Sequence, residues 1–285
     1  MKHHLAGQPN ELPPVRQAEA QPNITQYPDV NTSLRLFLQG VQAILGDLMV
    51  GMYLHGSLAT GDFNPQSSDI DFVVVAAQPV YDDLLSALAV FHARLAASGL
   101  KWATKLEGAY ISKEAIRRYE PEKTSCAWLG ADGHFAREPL GNDWVIQSYV
   151  IREMGVTVTG SDPKTLIDPI LPEDLRRAEL ATLRWWWSPQ LDNPFRLRSR
   201  EYQAYAVLTM CRALYTLQFG TVVSKSCAAR WAQTNLGERW VALIQRSLTW
   251  HIRDGVDDSC LALEFILYTS KCAQHIELSL NEVND

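Results

Sequence analysis

Two aspartates separated by a single residue stand in the segment Ser68-Asp69-Ile70-Asp71-Phe72, which follows a turn-rich stretch. The apolar, β-branched residues around them predict a strand over 69–75. Residues two apart on a strand project from the same face, so the carboxylates of Asp69 and Asp71 are expected side by side. Two carboxylates this close repel each other unless a cation intervenes. Oxygen ligands of this kind suit Mg²⁺, which takes one or two carboxylates together with substrate phosphates.

A glycine–serine pair precedes these aspartates, at the end of an apolar strand predicted over 50–55. Gly56 allows a close backbone approach, and Ser57 adds a hydroxyl and an amide, so the pair is suited to cradle phosphate oxygens. Alone, an Asp-x-Asp pair is commonly a solvated strand face, and Gly-Ser is commonly a turn. Their combination in this order, between two apolar strands, indicates a site for a metal ion and a phosphate.

The segment 54–72 resembles the signature of the DNA polymerase beta superfamily of nucleotidyltransferases, in which a strand, Gly-Ser, a spacer and Asp-hydrophobic-Asp follow in order. The longer pattern, which includes Gly-Asp-Phe-Asn-Pro over 61–65, is most similar to the streptomycin/spectinomycin adenylyltransferases. Segments 208–215, 224–225 and 228–232 are similar to the helical C-terminal domain of that family. The resemblance therefore extends from residue 50 to about residue 252.

The resemblance implies a catalytic centre of three acids. Asp69 and Asp71 would hold Mg²⁺ against the phosphates of ATP, and Glu107, on a third strand, would bind metal or accept the proton of the attacking hydroxyl. Without the resemblance, Glu107 would be taken for a charge at the rim of a strand. Gly108 replaces a bulkier family residue, so a wider pocket is expected there.

The resemblance also assigns nucleotide contacts to both parts of the chain. Arg212 and Lys225 match positions that bind the triphosphate, Trp250 falls where the family has an aromatic residue near the adenine, and Ser68 matches another nucleotide-contacting position, alongside Gly56 and Ser57. By residue type alone, a helical arginine or lysine is usually solvated.

The side that holds the acceptor is less well defined by the sequence. Family members hold a cationic aminoglycoside with carboxylates and a tryptophan. Glu201 is the nearest acid at the start of the Arg212 helix, although Tyr202 occupies the matching position. Trp128 lies in an insert where a tryptophan that contacts the substrate would fall. Both Glu201 and Trp128 could equally be rim or packing residues.

The periodicity of apolar residues predicts an α/β (α+β) nucleotidyltransferase domain with a mixed sheet over 31–170, followed by an all-α helical bundle over 171–285. Residues 1–30 contain five prolines among polar residues and are predicted to form a flexible arm. Strands are predicted over 50–55, 69–75, 105–111 and 156–159. Two prolines within 168–174 mark the boundary, and helices are predicted after it over 173–187, 199–219, 224–235, 237–253 and 257–280.

Composition restricts the partners and the compartment. The 285 residues carry 26 Lys and Arg against 32 Asp and Glu, a net charge of −6, which disfavours long nucleic acid and hence a polynucleotide polymerase. An acidic balance suits a small cationic acceptor better. Five cysteines without a CxxC pair predict free thiols in a reducing cytoplasm. No long apolar run or signal core is present, so neither a membrane span nor export is expected. We expect a monomer or a weak dimer.

Three functional hypotheses follow from the sequence. The first is an enzyme that uses Mg²⁺ and ATP to transfer AMP to a hydroxyl of a small cationic acceptor, an aminoglycoside antibiotic. The second is an enzyme that attaches AMP to a hydroxyl of a partner protein, although minimal nucleotidyltransferases of that kind usually lack a fused helical domain. The third is a non-catalytic nucleotide sensor, but none of the three acids expected for catalysis is missing.

Overall fold

The computed structural model describes residues 23–120, 125–251 and 256–282. The arm predicted over 1–30 therefore lies mostly outside the described residues. Its last three residues belong to the first helix, which begins at Pro28. Proline is well suited to this position, because the first turn of a helix has no use for its missing N–H.

A mixed six-stranded sheet forms the centre of the N-terminal part, as the sequence predicts. Its strands, in chain order, are β1 (Met49–Leu54), β2 (Ile70–Ala76), β3 (Leu106–Ser112), β4 (Ser125–Leu129), β5 (Phe135–Pro139) and β6 (Val156–Thr159). Their order across the sheet is β5-β4-β3-β2-β1-β6. Only β2 and β3 are parallel, and the remaining neighbours are antiparallel. The hairpin of β4 and β5 was not predicted from the sequence.

Five α-helices lie within the described residues of the N-terminal part. They are α1 (Pro28–Leu45), α2 (Gly56–Thr60), α3 (Asp82–Ala96), α4 (Lys113–Arg117) and α5 (Trp144–Met154). One face of the sheet, with Phe72 and Val74, packs against α1 and α3. The opposite face, with Val73 and Ala109, packs against Trp144 of α5. Alternation along the strands decides which face each functional side chain occupies.

Helices make up the chain from Pro172 onward, and within its described part no strand follows β6. These helices are α6 (Pro172–Thr182), α7 (Pro189–Asp192), α8 (Arg200–Phe219), α9 (Lys225–Asn235), α10 (Glu238–Leu248) and α11 (Ser259–Glu282). The long helix α8 lies at the centre, packed against α6, α9, α10 and α11. Its buried residues Met210 and Leu214 share a core with Trp240 and Phe265. The fold class predicted from the sequence is confirmed.

All five cysteines are free thiols. Among the described residues, no helix combines the length and the apolar character that crossing a membrane requires.

A buried histidine in the aromatic core makes the stability of the fold depend on pH. His92 of α3 lies among Phe37, Phe72 and Phe91, and its Nε2 is 2.7 Å from the hydroxyl of Tyr110. Burial lowers the pKa of His92 to about 4 from an ordinary value of 6.5. The folded state therefore resists a proton that the unfolded chain takes up.

We predict that the free energy of unfolding falls by about 2 kcal/mol as the pH drops from 6.5 towards 4 through this histidine. The stabilisation is fully present above pH 6.5, because His92 is then neutral in both states. Urea denaturation of His92→Gln against the unsubstituted protein across this range measures the contribution, with His134→Gln in the exposed β4–β5 turn as the control. An unchanged pH slope in His92→Gln would contradict the prediction.

Candidate active site

Two of the predicted acids lie directly opposite each other on the parallel strands. Asp71 of β2 pairs in register with Glu107 of β3, and both side chains are half-buried. Each lies two residues before a core residue, Val73 or Ala109, so both carboxylates project from the face that α5 covers. The register of a parallel pair thus brings together acids that are distant in sequence.

The third predicted acid lies just before β2, where a lysine holds it. The Nζ of Lys105 is 3.1 Å from Oδ1 of Asp69, and both side chains are partly exposed. Lys105 belongs to no motif of the sequence that would predict this role. Among the described residues, no group of three His, Cys, Asp or Glu side chains lies close enough to hold a metal ion. The assignment of Glu107 as a third metal ligand therefore stays a prediction.

The environment of Glu107 raises its pKa to about 7. Burial is the largest cause, and the negative charges of Asp71 and Asp69 add to it, whereas Lys225 opposes the shift. Asp132, in the exposed turn between β4 and β5, contributes in the same direction as the other acids. A carboxyl with a pKa near neutrality can accept a proton and release it at physiological pH.

Gly56 allows the Gly-Ser turn to lie against the carboxylate of Asp71. A Cβ atom added at Gly56 would lie only 1.8 Å from Oδ2 of Asp71. Gly56 also has a φ of +57°, in the left-handed region that favours glycine. The backbone N–H of His55 donates to the carbonyl oxygen of Asp71 at 3.0 Å, which fixes the turn beside β2. Ser57 follows in the first turn of α2.

A carboxylate of the N-terminal part fixes the helix that carries Lys225. Asp62 accepts hydrogen bonds from the backbone N–H of Ser226 at 2.7 Å and from its hydroxyl at 2.5 Å. Ser224 caps the same helix, α9, by accepting from the N–H of Cys227. Asp62 belongs to the Gly-Asp-Phe segment of the sequence pattern. That segment is the part of the sequence that could have indicated a role for Asp62, although it does not identify Ser226 as the partner.

Lys225, on the helical part of the chain, lies near enough to the acids of the sheet for their charges to act on it, and the space between them is termed the cleft. Its Nζ lies 4.4 Å from the ring centroid of Tyr205. Burial and the charge of Arg212 lower the pKa of Lys225 to about 8, whereas Asp71 and the neighbouring acids oppose the shift. Lys225 therefore remains mostly cationic at pH 7. Lys225 and Tyr205 are surrounded by protein on most sides yet keep accessible surface, as expected for the walls of a cleft.

Arg212 lies two turns after Tyr205 on α8, hence on the same side of that helix. Its Nε is buried and has no hydrogen-bond partner among the described residues. The charge of Arg212 acts on Lys225 and on the carboxyl groups of Asp143 and Glu179. The structure thus brings Arg212 and Lys225 together, as predicted for two triphosphate ligands, although their contact with a nucleotide stays a prediction.

Ser68 and Trp250 lie around one loop. The hydroxyl of Ser68 accepts from the N–H of Asn64 at 2.9 Å and closes the turn that leads to Asp69. The side-chain amide nitrogen of Asn64 is 3.1 Å from Nε2 of His251, the residue after Trp250. The rings of Trp250 and His251 are 6.1 Å apart. Trp250, the residue predicted to lie near the adenine, is thereby placed close to the loop that precedes Asp69 and Asp71.

The two predicted acceptor residues have different surroundings. Glu201 is exposed in the first turn of α8, whereas the next residue, Tyr202, packs against Tyr205 with ring centroids 5.5 Å apart. Trp128 of β4 pairs with Ala109 and lies partly buried on the sheet face that carries Glu107. Tyr202 therefore contacts a residue of the cleft, Tyr205, whereas Glu201 is exposed to solvent.

The expectation that Gly108 widens the pocket is wrong. Gly108 alternates with Glu107 and therefore belongs to the opposite face of the sheet. A Cβ atom added at Gly108 would lie 2.0 Å from the backbone carbonyl oxygen of Phe72. The glycine instead permits the close approach of β2 and β3.

A cavity of about 440 Å³ lies away from these residues, between α4, α5 and the start of α6. Arg117, Ser148, Asp168 and Arg177 are among the residues that line it, and none of the predicted site residues does. The cavity is therefore separate from the cleft described above. The candidate active site is therefore identified by the paired acids and the nearby cations, and not by the position of this cavity.

Comparison with protein families agrees with this architecture. The nucleotidyltransferase domain matches residues 34–119, and the C-terminal domain of aminoglycoside adenylyltransferases matches residues 165–266. The spectinomycin 9-adenylyltransferase of Campylobacter jejuni is 25% identical over 231 residues, which cover 78% of this chain and 84% of that protein. The enzyme of the same name from Enterococcus faecalis is 24% identical over 193 residues, which cover 63% of this chain and 71% of that protein.

A solved structure has the same overall fold. It is the spectinomycin adenyltransferase of Enterococcus faecalis, crystallised with ATP and spectinomycin. The two folds superpose with a TM-score of 0.68 at 17% sequence identity, over 84% of this chain and 98% of the other. At this identity, the likeness establishes the fold alone.

The contact between Gly56 and Asp71 gives a direct test of the site. Gly56→Ala should weaken Mn²⁺ binding in the presence of ATP by about tenfold to a hundredfold, because the added methyl displaces the carboxylate of Asp71. Electron paramagnetic resonance of free Mn²⁺ measures the affinity. Gly61→Ala is the matched control, since its φ of +79° is also left-handed but an added Cβ meets no atom within 4 Å. Equal Mn²⁺ affinities of the two variants would contradict the assignment.

Proposed function

Because the chain is an aminoglycoside adenylyltransferase-like nucleotidyltransferase, we propose that it transfers AMP from Mg-ATP to a hydroxyl of a small cationic acceptor, an aminoglycoside antibiotic. The observation that carries the proposal is the pairing of Asp71 with Glu107 on one sheet face, opposite Lys225 and Arg212. Carboxylates on one wall and cations on the other suit a substrate that combines a triphosphate with a divalent ion.

The donor set at the sheet end fits Mg²⁺. Asp69 and Asp71 offer carboxylate oxygens, the ligand type that Mg²⁺ prefers, and phosphates of the substrate complete its shell. Gly56 lets the Gly-Ser turn lie directly against Oδ2 of Asp71, so the polar groups of the turn can bind a phosphate beside the ion. When bound, Mg²⁺ would neutralise charge on the phosphates and orient them. In this proposal Glu107 is available as a further ligand.

Glu107 is the general base of the proposed reaction. The acceptor hydroxyl oxygen forms a bond to the α-phosphorus of ATP, the bond from that phosphorus to the bridging oxygen of the β-phosphate breaks, and pyrophosphate leaves. The proton of the hydroxyl passes to the carboxylate of Glu107, which its burial and its acidic neighbours make a stronger base than an exposed carboxylate. Positioning and charge stabilisation supply most of the remaining rate enhancement.

Residues of both parts of the chain bind the nucleotide in this proposal. Lys225 and Arg212 contact the triphosphate with ammonium and guanidinium donors, which form strong charge-assisted hydrogen bonds to phosphate oxygens. Ser57 and Ser68 contribute polar contacts from the turns beside Asp71 and Asp69. Trp250, held near the second of these turns, stacks on the adenine.

The acceptor binds beside Glu107, where several acidic groups lower the electrostatic potential. Asp132 acts on Glu107 from the β4–β5 turn, and Trp128 lies on the same sheet face. Glu201 is the more distant candidate, at the start of α8. The curated relatives are named for spectinomycin, so this compound is the first acceptor to test.

The test is the transfer of label from α-³²P-ATP to spectinomycin or streptomycin in the presence of Mg²⁺. The unsubstituted protein should label one of these compounds, and Glu107→Gln should transfer about a thousandfold more slowly because it lacks the base. Glu138→Gln, on the exposed strand β5, is the matched control. Binding of ATP should persist in Glu107→Gln.

Other outcomes would contradict the proposal in different ways. Label that appears only on a protein of a cell lysate would support modification of a protein hydroxyl instead. ATP binding without transfer to any aminoglycoside would remove the assigned acceptor. Full activity of Glu107→Gln would remove the assigned base.

A further inference from the structure

Glu179 is a buried carboxyl group for which the proposed reaction has no role. It lies on α6 with only 5% of its surface exposed. Its carboxylate forms no hydrogen bond or ion pair with any of the described residues. Burial raises its pKa to about 7, and Arg212 opposes this shift. Burial of an acid is costly unless a nearby positive charge compensates for it.

The packing of α6 on α8 brings Glu179 near Arg212. The two helices run antiparallel, because Pro172 lies against Gly220 whereas Nε of Arg176 donates to the carbonyl oxygen of Leu217 at 2.9 Å. Three residues further along α6 and five residues back along α8, Glu179 lies within one helical turn of the level of Arg212. The relative level of the two residues is therefore fixed by two anchored points on the same pair of helices.

Two carboxyl groups lie close enough to Arg212 for its charge to act on them. Glu179 acts on it from α6, and Asp143 acts on it from the residue that precedes α5. Its Nε is buried without a hydrogen-bond partner among the described residues. Fixing a long cationic side chain in one rotamer costs conformational entropy. A nearby negative charge can offset that cost and favour one orientation of the guanidinium.

We propose that Glu179 is a positioning residue that holds the guanidinium of Arg212 towards the cleft, where that group meets the triphosphate of ATP. The inference rests on the proposed function in one respect, that Arg212 binds the triphosphate. Glu179 itself touches neither nucleotide nor acceptor. Its contribution to nucleotide binding therefore passes entirely through Arg212.

A double-mutant cycle on nucleotide binding tests this role. Glu179→Gln keeps the shape of the side chain but removes its charge, and should weaken Mg-ATP binding about tenfold in calorimetric titrations. In the Arg212→Ala background the same substitution should have no further effect. Binding of adenosine, which has no phosphate, should be equal in all four proteins. Glu238→Gln, an exposed acid in the first turn of α10, is the control and should bind Mg-ATP normally.

The outcomes separate this inference from the proposed function. An equal loss of affinity on Glu179→Gln with and without Arg212 would overturn the positioning role, as would no loss at all. Coupled loss without any AMP transfer by the unsubstituted protein would support the role of Glu179 and contradict the proposed function. Absence of Mg-ATP binding would overturn both. Should Glu179→Gln fail to fold, Glu179→Asp, which shortens the reach by one methylene, should show a smaller coupled loss.

Discussion

Repulsion among carboxylates at one end of the sheet is the constraint on which the site depends. The register of β2 and β3 places Glu107 opposite Asp71, and Gly56 leaves no room for Asp71 to turn away on that side. Separation of these charges would require a change in strand pairing, which would move the buried face as well. The strand pairing is kept, and the repulsion between the carboxylates is offset in other ways. The compensation takes the form of a raised pKa at Glu107, the ammonium of Lys105 beside Asp69, and the cation of Lys225 across the cleft.

The compensating cations come largely from the other part of the chain, which explains why the two parts meet where they do. Asp62 binds the first turn of α9 through Ser226, and this contact sets the position of Lys225. The sheet therefore supplies the acids, the helices supply Lys225 and Arg212, and the cleft between them has opposite charges on its two walls. Such an arrangement binds a ligand that carries both a polyanion and a metal ion better than it binds either alone.

Local patterns allowed the prediction of much of this site, and contacts distant in sequence account for the rest. The strands β1, β2, β3 and β6 were predictable because their alternation and apolar residues are contained within each segment, and Asp71 followed from them. The hairpin of β4 and β5 was missed because its strands are short and carry little alternation. The pair Asp62–Ser226 spans 164 residues, and no periodicity reports a contact of that kind. Glu179 was missed for a similar reason, since its burial depends on how α6 packs against α8.

A crystal structure with Mn²⁺ and a non-hydrolysable ATP analogue would show whether the acids of the sheet and the cations of the helices bind the same nucleotide. The anomalous signal of manganese locates the ion independently of the refined model. We expect one manganese peak in contact with carboxylate oxygens of Asp69 and Asp71, with the triphosphate between this ion and the side chains of Lys225 and Arg212. A manganese peak bound elsewhere, or a triphosphate that touches neither cation, would contradict this expectation.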